Sequence, residues 1–285
     1  MATFVPQLFF RNYNKPKMKK ISIAFIVFFA TQINTATAQV LETEDSRPLN
    51  KGQVEIGAGL EYQTSREGYE IALPLSFEYG ISKRFTFLFE PVPFTGIYPR
   101  TTRHATGFGD LEITLFYQLL KETKHFPSIS LSAEVKFPTA KDSLIGTGKT
   151  DFTPFFIASK TTGKFFTSLN LSYTFLGKPK GVVANNLFNY AAGTVYELSA
   201  KSILFAEIYG NTSALGGAEV PETPSNPLKN IELSGGETVG SVGYGYYINR
   251  NLLFSFGISY DNNHALLFRP GIVWTSQDGK RLFGR

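Results

Sequence analysis

The chain contains 285 residues, of which 15% are aromatic and 18% charged, and it has no cysteine. The charged fraction is below the roughly 25% of an ordinary soluble domain, and the missing cysteines exclude disulfides and cysteine-based metal sites. The formal net charge of +5 arises within residues 1–38, which hold five basic residues and no acid. Without that segment the chain is neutral, so its charge gives no argument for nucleic-acid binding.

The first 38 residues have the pattern of a secretory signal peptide. Met18 is followed by two lysines, by the apolar core 21–30 and by the A-x-A site that ends at Ala38. Ten residues are too few for a membrane anchor, since a spanning helix needs about 20. We therefore predict an N-terminal extension plus signal peptide over 1–38, cleaved after Ala38, with Met18 favoured over Met1 as the start. A buried N-terminal helix is the alternative.

Residues 39–51 are expected to form a short periplasmic segment and residues 52–285 a β-domain. Apolar and polar residues alternate along most of this domain, and a period of two gives a strand one apolar and one polar face. One such run is Ser128–Phe137, where serines, Glu134 and Lys136 alternate with apolar residues. The pattern predicts strands over 52–63, 69–81, 84–98, 107–121, 127–138, 149–160, 164–176, 187–200, 202–212, 233–248, 251–261 and 265–276.

Three features favour an up-and-down antiparallel transmembrane β-barrel over a secreted soluble β-protein. Connections after even-numbered strands are short, whereas most of those after odd-numbered strands are longer, as in outer-membrane barrels. Many runs reach the roughly 9–11 residues that a tilted membrane strand requires. Aromatic residues end the apolar faces, as in interfacial girdles: Tyr62, Tyr79, Tyr117, Phe137, Tyr173, Phe175, Tyr260 and Trp274. The location expected is the outer membrane of a Gram-negative cell.

The residues on the polar face of each predicted strand are often acidic, which predicts an acidic barrel interior. Acidic side chains around a path favour cations, and a structural charge network is the alternative. The residues expected to line the lumen are Glu55, Glu61, Glu70, Glu78, Glu90, Asp110, Glu112, Glu134, Lys136, Glu197, Glu207 and Arg269. Asp110 and Lys136 share this face on neighbouring strands, so we expect them to form an ion pair.

Motifs for covalent chemistry are weak in this chain. The Gly146–Thr150 stretch lacks the first glycine of a phosphate loop and is followed by a predicted strand, so no nucleotide is expected. The three histidines, His104, His125 and His264, have no metal-ligand spacing, and we expect no metal and no cofactor. The enzymatic alternative is a lipid hydrolase at the barrel rim, with Ser259 and His264, or His104, as its Ser–His site.

Two stretches resemble a family of outer-membrane proteins named for the meta-pathway of phenol degradation. The first is Thr106–Leu111, similar to the family's TGxGD strand, and the second runs from Val135 to Asp151. Ala140 departs from the family's usual glycine, and the chain does not end on an aromatic residue, so Trp274 or Phe283 would signal to the barrel-assembly machinery. The matching motif residues are Gly107, Gly109, Asp110, Pro138, Thr139, Gly146, Gly148 and Asp151.

The resemblance implies a barrel transporter for small, often aromatic or hydrocarbon compounds. The expected partners are outer-membrane lipid, the assembly machinery and a small-molecule permeant, with no nucleic acid and no nucleotide. We therefore interpret the chain as a non-enzymatic outer-membrane barrel of about twelve strands. Two alternatives stay open at this point, the rim hydrolase and a closed barrel with a structural or surface-interaction role.

Overall fold

The computed structural model describes residues 41–178, 184–214 and 236–276. The predicted signal peptide, cleavage site and Phe283 lie outside these residues. No helix of the described ranges is long and apolar enough to cross a membrane. The strands are β1 (Val54–Gly59), β2 (Glu61–Thr64), β3 (Gly68–Leu73), β4 (Leu75–Gly80), β5 (Phe85–Glu90), β6 (Phe94–Pro99), β7 (Ala105–Gly107), β8 (Leu111–Leu120), β9 (Ser128–Phe137), β10 (Asp151–Thr162), β11 (Phe165–Thr174), β12 (Leu187–Ser199), β13 (Ser202–Asn211), β14 (Glu237–Tyr247), β15 (Leu252–Asp261) and β16 (Leu266–Thr275).

These sixteen segments make twelve barrel strands, because β1/β2, β3/β4, β5/β6 and β7/β8 are four long strands, each interrupted once. Proline explains two of the interruptions. Pro74 separates β3 from β4, and Pro91 and Pro93 lie between β5 and β6, where a residue without an N–H cannot donate to the ladder. The twelve predicted strands coincide with the observed ones to within a few residues, and the start predicted at 233 lies outside the described residues.

The sheet closes on itself through an antiparallel pairing of β1 with β16, in which Ile56 lies opposite Trp274. Every other neighbouring pair in the sheet is antiparallel as well. Closure satisfies the backbone groups that an open edge would leave unpaired in lipid. The predicted fold, an up-and-down antiparallel barrel of about twelve strands, is confirmed.

Burial alternates along most of the strands as the sequence parity predicts. In β9 the serines, Glu134 and Lys136 are buried, whereas Leu131 and Phe137 are exposed on the outside. The predicted girdle residues also point outward: Tyr62, Tyr79, Tyr173, Tyr260 and Trp274 each expose between 38% and 53% of their surface. The apolar face is therefore the outer, lipid-facing surface and the polar face encloses the interior.

Candidate functional site in the barrel interior

The interior is crossed by residues 41–49, which we call the N-terminal strap. Its residues are mostly buried, Leu41, Glu44 and Leu49 among them. It fixes itself to the wall through backbone amides at 42, 44, 46 and 49. These amides donate, in that order, to Glu207 Oε2 (2.8 Å), Asn170 Oδ1 (2.9 Å), Ser159 Oγ (2.9 Å) and Thr86 Oγ1 (2.9 Å). The strap thus passes from the wall at β5 across to β13.

Serines of the wall complete the attachment of the strap at its centre. Ser128 Oγ donates to the carbonyl oxygen of Ser46 at 3.4 Å, and Ser130 Oγ donates to the same oxygen. Beside them, Arg47 forms a forked contact with Asp45, at 2.9 and 2.7 Å, and its guanidinium lies 4.2 Å from the centroid of the Phe166 ring. A backbone inside a barrel needs such partners, because buried unpaired amides and carbonyls are costly.

Arg269 on β16 holds the other end of the strap. Its guanidinium forms an ion pair with Glu42, and its Nε lies 3.4 Å from Glu61 Oε1. Glu207 stands on the same end and accepts hydrogen bonds from Thr43, from its backbone amide at 3.1 Å and from its hydroxyl at 2.7 Å. Arg269 is only 2% exposed. A buried guanidinium requires carboxylate partners, so the predicted lumen residues Glu61, Glu207 and Arg269 act here as anchors.

A second cluster joins the two motif stretches. Lys136 Nζ lies 2.6 Å from Asp151 Oδ2 and 3.6 Å from Asp110 Oδ2. The expected contact between Asp110 and Lys136 is therefore present, although Asp151 is the closer partner. Asp110 also accepts the amide of Ala140 at 2.9 Å, and Asp151 accepts the amide of Gly177 at 2.7 Å. The three charged side chains tie β8, β9 and β10 to the loops that follow β9 and β11.

Gly146 gives the first test of this cluster. A Cβ atom at Gly146 would lie 2.7 Å from the Cβ of Ala140 and 2.9 Å from both carboxylate oxygens of Asp110. We expect Gly146→Ala to lower the free energy of unfolding by about 1–3 kcal/mol, as overpacking does, measured by urea titration of the folded barrel. Gly240→Ala is the matched control, since nothing lies within 4 Å of its Cβ position. Equal stability of the two variants would contradict close packing at Gly146.

The loop that contains Gly146 is also held by a neighbouring loop. Arg103 Nη1 and Nη2 donate to Asp142 Oδ2 and Oδ1, both at 2.7 Å. These hydrogen bonds are the main reason that the pKa of Asp142 lies below its ordinary value. Asp142 further accepts the amide of Leu144 at 2.8 Å. The loops 100–104 and 138–150 are therefore joined at the end of the barrel where the longer connections lie.

All the residues expected to line the lumen have the inward parity. Nine are buried and Glu70, Glu78 and Glu197 are half-buried. Of the motif residues, Gly109, Asp110, Gly146 and Asp151 are buried, Gly107 is half-buried, and Pro138, Thr139 and Gly148 are exposed. The structure brings Asp110, Lys136 and Asp151 together in one cluster and Glu61, Glu207 and Arg269 in another. It does not bring the twelve lumen residues into a single ring.

Apolar side chains inside the barrel were missed from the sequence. One cluster consists of Leu88, Phe116, Phe155 and Ile157, with Ile157 fully buried. A larger cluster surrounds Leu41 of the strap and contains Phe166, Val195, Ile203, Phe205, Leu253 and Val273. The signal was present, because Phe116, Phe155 and Ile157 occupy the same parity as the polar residues of their strands. The interior therefore has apolar as well as acidic surfaces.

The residues of the hydrolase alternative lie apart. Ser259 is buried inside and its Oγ accepts a hydrogen bond from Ser241 Oγ at 2.7 Å. His264 is exposed, and its Nδ1 lies 2.6 Å from the hydroxyl of Tyr260. His104 packs edge-on against Tyr98, with ring centroids 5.3 Å apart. Ser259 and His264 thus have other hydrogen-bond partners, and this geometry gives no support to a Ser–His pair.

A closed barrel with an apolar outer face and a polar inner face has the fold of outer-membrane channels. The COG4313 outer membrane channel from Pseudomonas putida F1 matches with a TM-score of 0.62 and 11% identity, over 81% of this chain and 98% of that one. The NanC porin matches with a TM-score of 0.52 and 10% identity, over 77% and 98%. At such identities the likeness concerns the fold.

The family follows from the sequence itself. The model of the family described as "Putative MetA-pathway of phenol degradation" matches residues 24–265. The chain belongs to this family, as the resemblance at 106–111 and 135–151 implied. Comparison with curated proteins finds no match.

Proposed function

We propose that the protein is an outer-membrane channel for small molecules, including apolar aromatic or hydrocarbon compounds. The observation that carries the proposal is the mixed interior of the closed barrel. The apolar cluster of Leu88, Phe116, Phe155 and Ile157 faces inward on strands that also present Thr86, Glu90 and Thr114 to the lumen. An apolar solute gains from contact with such a surface, whereas a purely hydrated pore would offer it none.

The outer-membrane location is part of the proposal. An even number of strands places both ends of the barrel on one side, and the signal-peptide pattern provides export. Two measurements test this location. The first is fractionation on a sucrose gradient, and the second is a denaturing gel on which the extracted protein is run both unboiled and boiled. We expect the protein to be recovered in the outer-membrane fraction and its band to shift only on boiling. A protein recovered from the periplasm or medium in soluble form would contradict the proposal.

The strap favours one alternative, a closed barrel with a structural or surface-interaction role. Residues 41–49 cross the interior and make hydrogen bonds to both sides of it, which reduces the open cross-section. Single-channel recording in planar bilayers separates the two functions. A channel gives discrete conductance steps, and the predicted excess of lumen carboxylates leads us to expect cation preference. A closed barrel gives no steps and no solute uptake.

The apolar part of the proposed path is tested by Ile157→Thr. Ile157 is fully buried in the interior cluster, whereas Ile208 is 50% exposed on the outer face of β13, so Ile208→Thr is the matched control. We expect Ile157→Thr to slow the uptake of toluene into proteoliposomes several-fold and to leave potassium chloride conductance nearly unchanged. The control should alter neither quantity. Unchanged toluene uptake in Ile157→Thr would remove the apolar cluster from the permeation path.

A further inference from the structure

We infer that the periplasmic rim of the barrel is a binding surface for the headgroups of anionic phospholipids in the inner leaflet of the outer membrane. The inference concerns the outer surface rather than the path of the permeant. It rests on the outer-membrane location given under the proposed function, and on the assignment of the short turns to the periplasmic side.

The five turns that follow the even-numbered barrel strands are basic. They comprise residues 81–84, 121–127, 163–164, 200–201 and 248–251, and the structure describes all of them. Each turn carries at least one Lys or Arg. The basic residues are Lys83, Arg84, Lys121, Lys124, Lys164, Lys201 and Arg250. The same turns contain one acid, Glu122, which lies 3.3 Å from Lys160 at the end of β10. The acid is thus already paired, and the turns present a net positive charge around the rim.

The basic residues lie directly beside the apolar outer surface. Leu119 and Leu120, 45% and 51% exposed, immediately precede Lys121. Phe165, 51% exposed, immediately follows Lys164, and Ile248, 51% exposed, precedes Arg250 by two residues. A side chain placed at the edge of the lipid-facing band reaches the headgroup layer, and long basic side chains extend readily into it. The charges are therefore at the depth of lipid phosphates.

The densest sector spans three neighbouring turns. The pairing of β5 with β8 and of β9 with β10 places the turns 81–84, 121–127 and 163–164 side by side. Adjacent strands lie about 4.8 Å apart, and successive turns on one rim are two strands apart. The basic residues on successive turns are therefore roughly 10 Å apart, a distance that neighbouring phospholipid headgroups can span. The middle turn, 121–127, is also held by β10, because Lys160 Nζ donates to the carbonyl oxygens of Thr123 and Lys124. A preorganised turn loses little freedom on binding.

An anionic lipid fits this surface better than an acidic protein does. The basic residues are distributed over all five of these turns rather than gathered in one patch, and an exposed apolar side chain lies within two residues of most of them. A ring of this kind matches a ring of annular lipids, whose phosphates attract Lys and Arg near the membrane surface. A protein partner would instead contact one sector.

The experiment compares the mature barrel with Lys121→Gln/Lys124→Gln/Lys164→Gln in nanodiscs of phosphatidylglycerol and phosphatidylcholine. Native mass spectrometry reads the phosphatidylglycerol retained relative to its share of the bilayer. We expect enrichment in the wild-type barrel and a several-fold loss of it in the triple variant. Arg66→Gln/Arg100→Gln/Lys141→Gln is the control, because it removes the same charge from exposed residues at the opposite rim.

The control variant should keep the enrichment of the wild type. Equal losses in both triple variants, or full enrichment in the periplasmic variant, would overturn the inference. The boiling-dependent gel shift of each variant shows whether the barrel has folded, so a folding defect is recognised separately. Because the lipid measurement uses reconstituted protein, it can fail while fractionation and conductance succeed, and the failures of the two proposals are distinguishable.

Discussion

Removal of the N-terminal strap should raise the single-channel conductance several-fold. Deletion of residues 41–47 withdraws a backbone that crosses the lumen and is attached to Glu207, Asn170 and Ser159. Water then fills the space, because the groups released on the wall are polar. The measurement is the conductance of the deletion variant in planar bilayers beside that of the wild-type barrel, together with the boiling-dependent gel shift as a test of folding.

Arg269→Gln provides a milder form of the same test. The change breaks the ion pair that joins Arg269 to Glu42 and the contact with Glu61. It therefore weakens the attachment at this end of the strap, while the hydrogen bonds to Glu207 and the central attachment to Ser128 and Ser130 persist. We expect conductance to fluctuate between the wild-type level and a higher one. Arg250→Gln removes a positive charge from the turn between β14 and β15 and serves as the control. A steady wild-type conductance after both the deletion and Arg269→Gln would show that the strap does not limit the path.

The strands were predictable from the sequence because their signal is local. In β9 a period of two over ten residues determines which side chains face lipid, and the observed burial follows that parity from Ser128 to Phe137. The interruption at Pro74 was not predicted, although proline was present, because the apolar parity continues unbroken from Leu73 to Leu75. A strand can thus keep the same side chains pointing outward even where a few ladder hydrogen bonds are lost.

The strap could not be located from the sequence, because its partners are far away along the chain. Glu42 binds a side chain on β13, 165 residues distant, and nothing in residues 41–49 specifies that contact. Residues 42–47 form an unbroken polar run, and such a run also fits a solvated segment at the periplasmic mouth. What places it inside is the set of wall groups at Thr86, Ser159, Asn170 and Glu207.

The partners of Lys136 were predictable only in part, for a related reason. Asp110 and Lys136 lie on neighbouring strands with common parity, which is enough to predict their contact. Asp151 lies directly opposite Lys136 in the register of β9 with β10, and that register depends on the length and shape of the loop 138–150. Asp151 begins β10, two residues after the predicted start at 149. Its facing was therefore not evident from the sequence, and its closer contact with Lys136 emerged from the structure.

Lys136→Met should strongly destabilise the barrel, because it leaves two buried carboxylates without their shared cation. Asp110 and Asp151 are 5% and 2% exposed, and breaking a buried ion pair from one side costs about 3–5 kcal/mol. We expect this loss in the free energy of unfolding, measured by urea titration in liposomes. Lys160→Gln is the control, since its pair with Glu122 is at the surface and such pairs contribute about 0–1 kcal/mol.

A rescue experiment shows whether Lys136→Met destabilises the barrel through loss of charge balance or through loss of packing. Adding Asp110→Asn and Asp151→Asn to Lys136→Met removes the uncompensated charges while the amide side chains retain acceptors for the amides of Ala140 and Gly177. We expect most of the lost stability to return, and the exchange Lys136→Asp/Asp151→Lys to assemble better than either single change. If the neutral triple variant were as unstable as Lys136→Met, packing around the lysine stem, rather than its charge, would hold β8, β9 and β10 together.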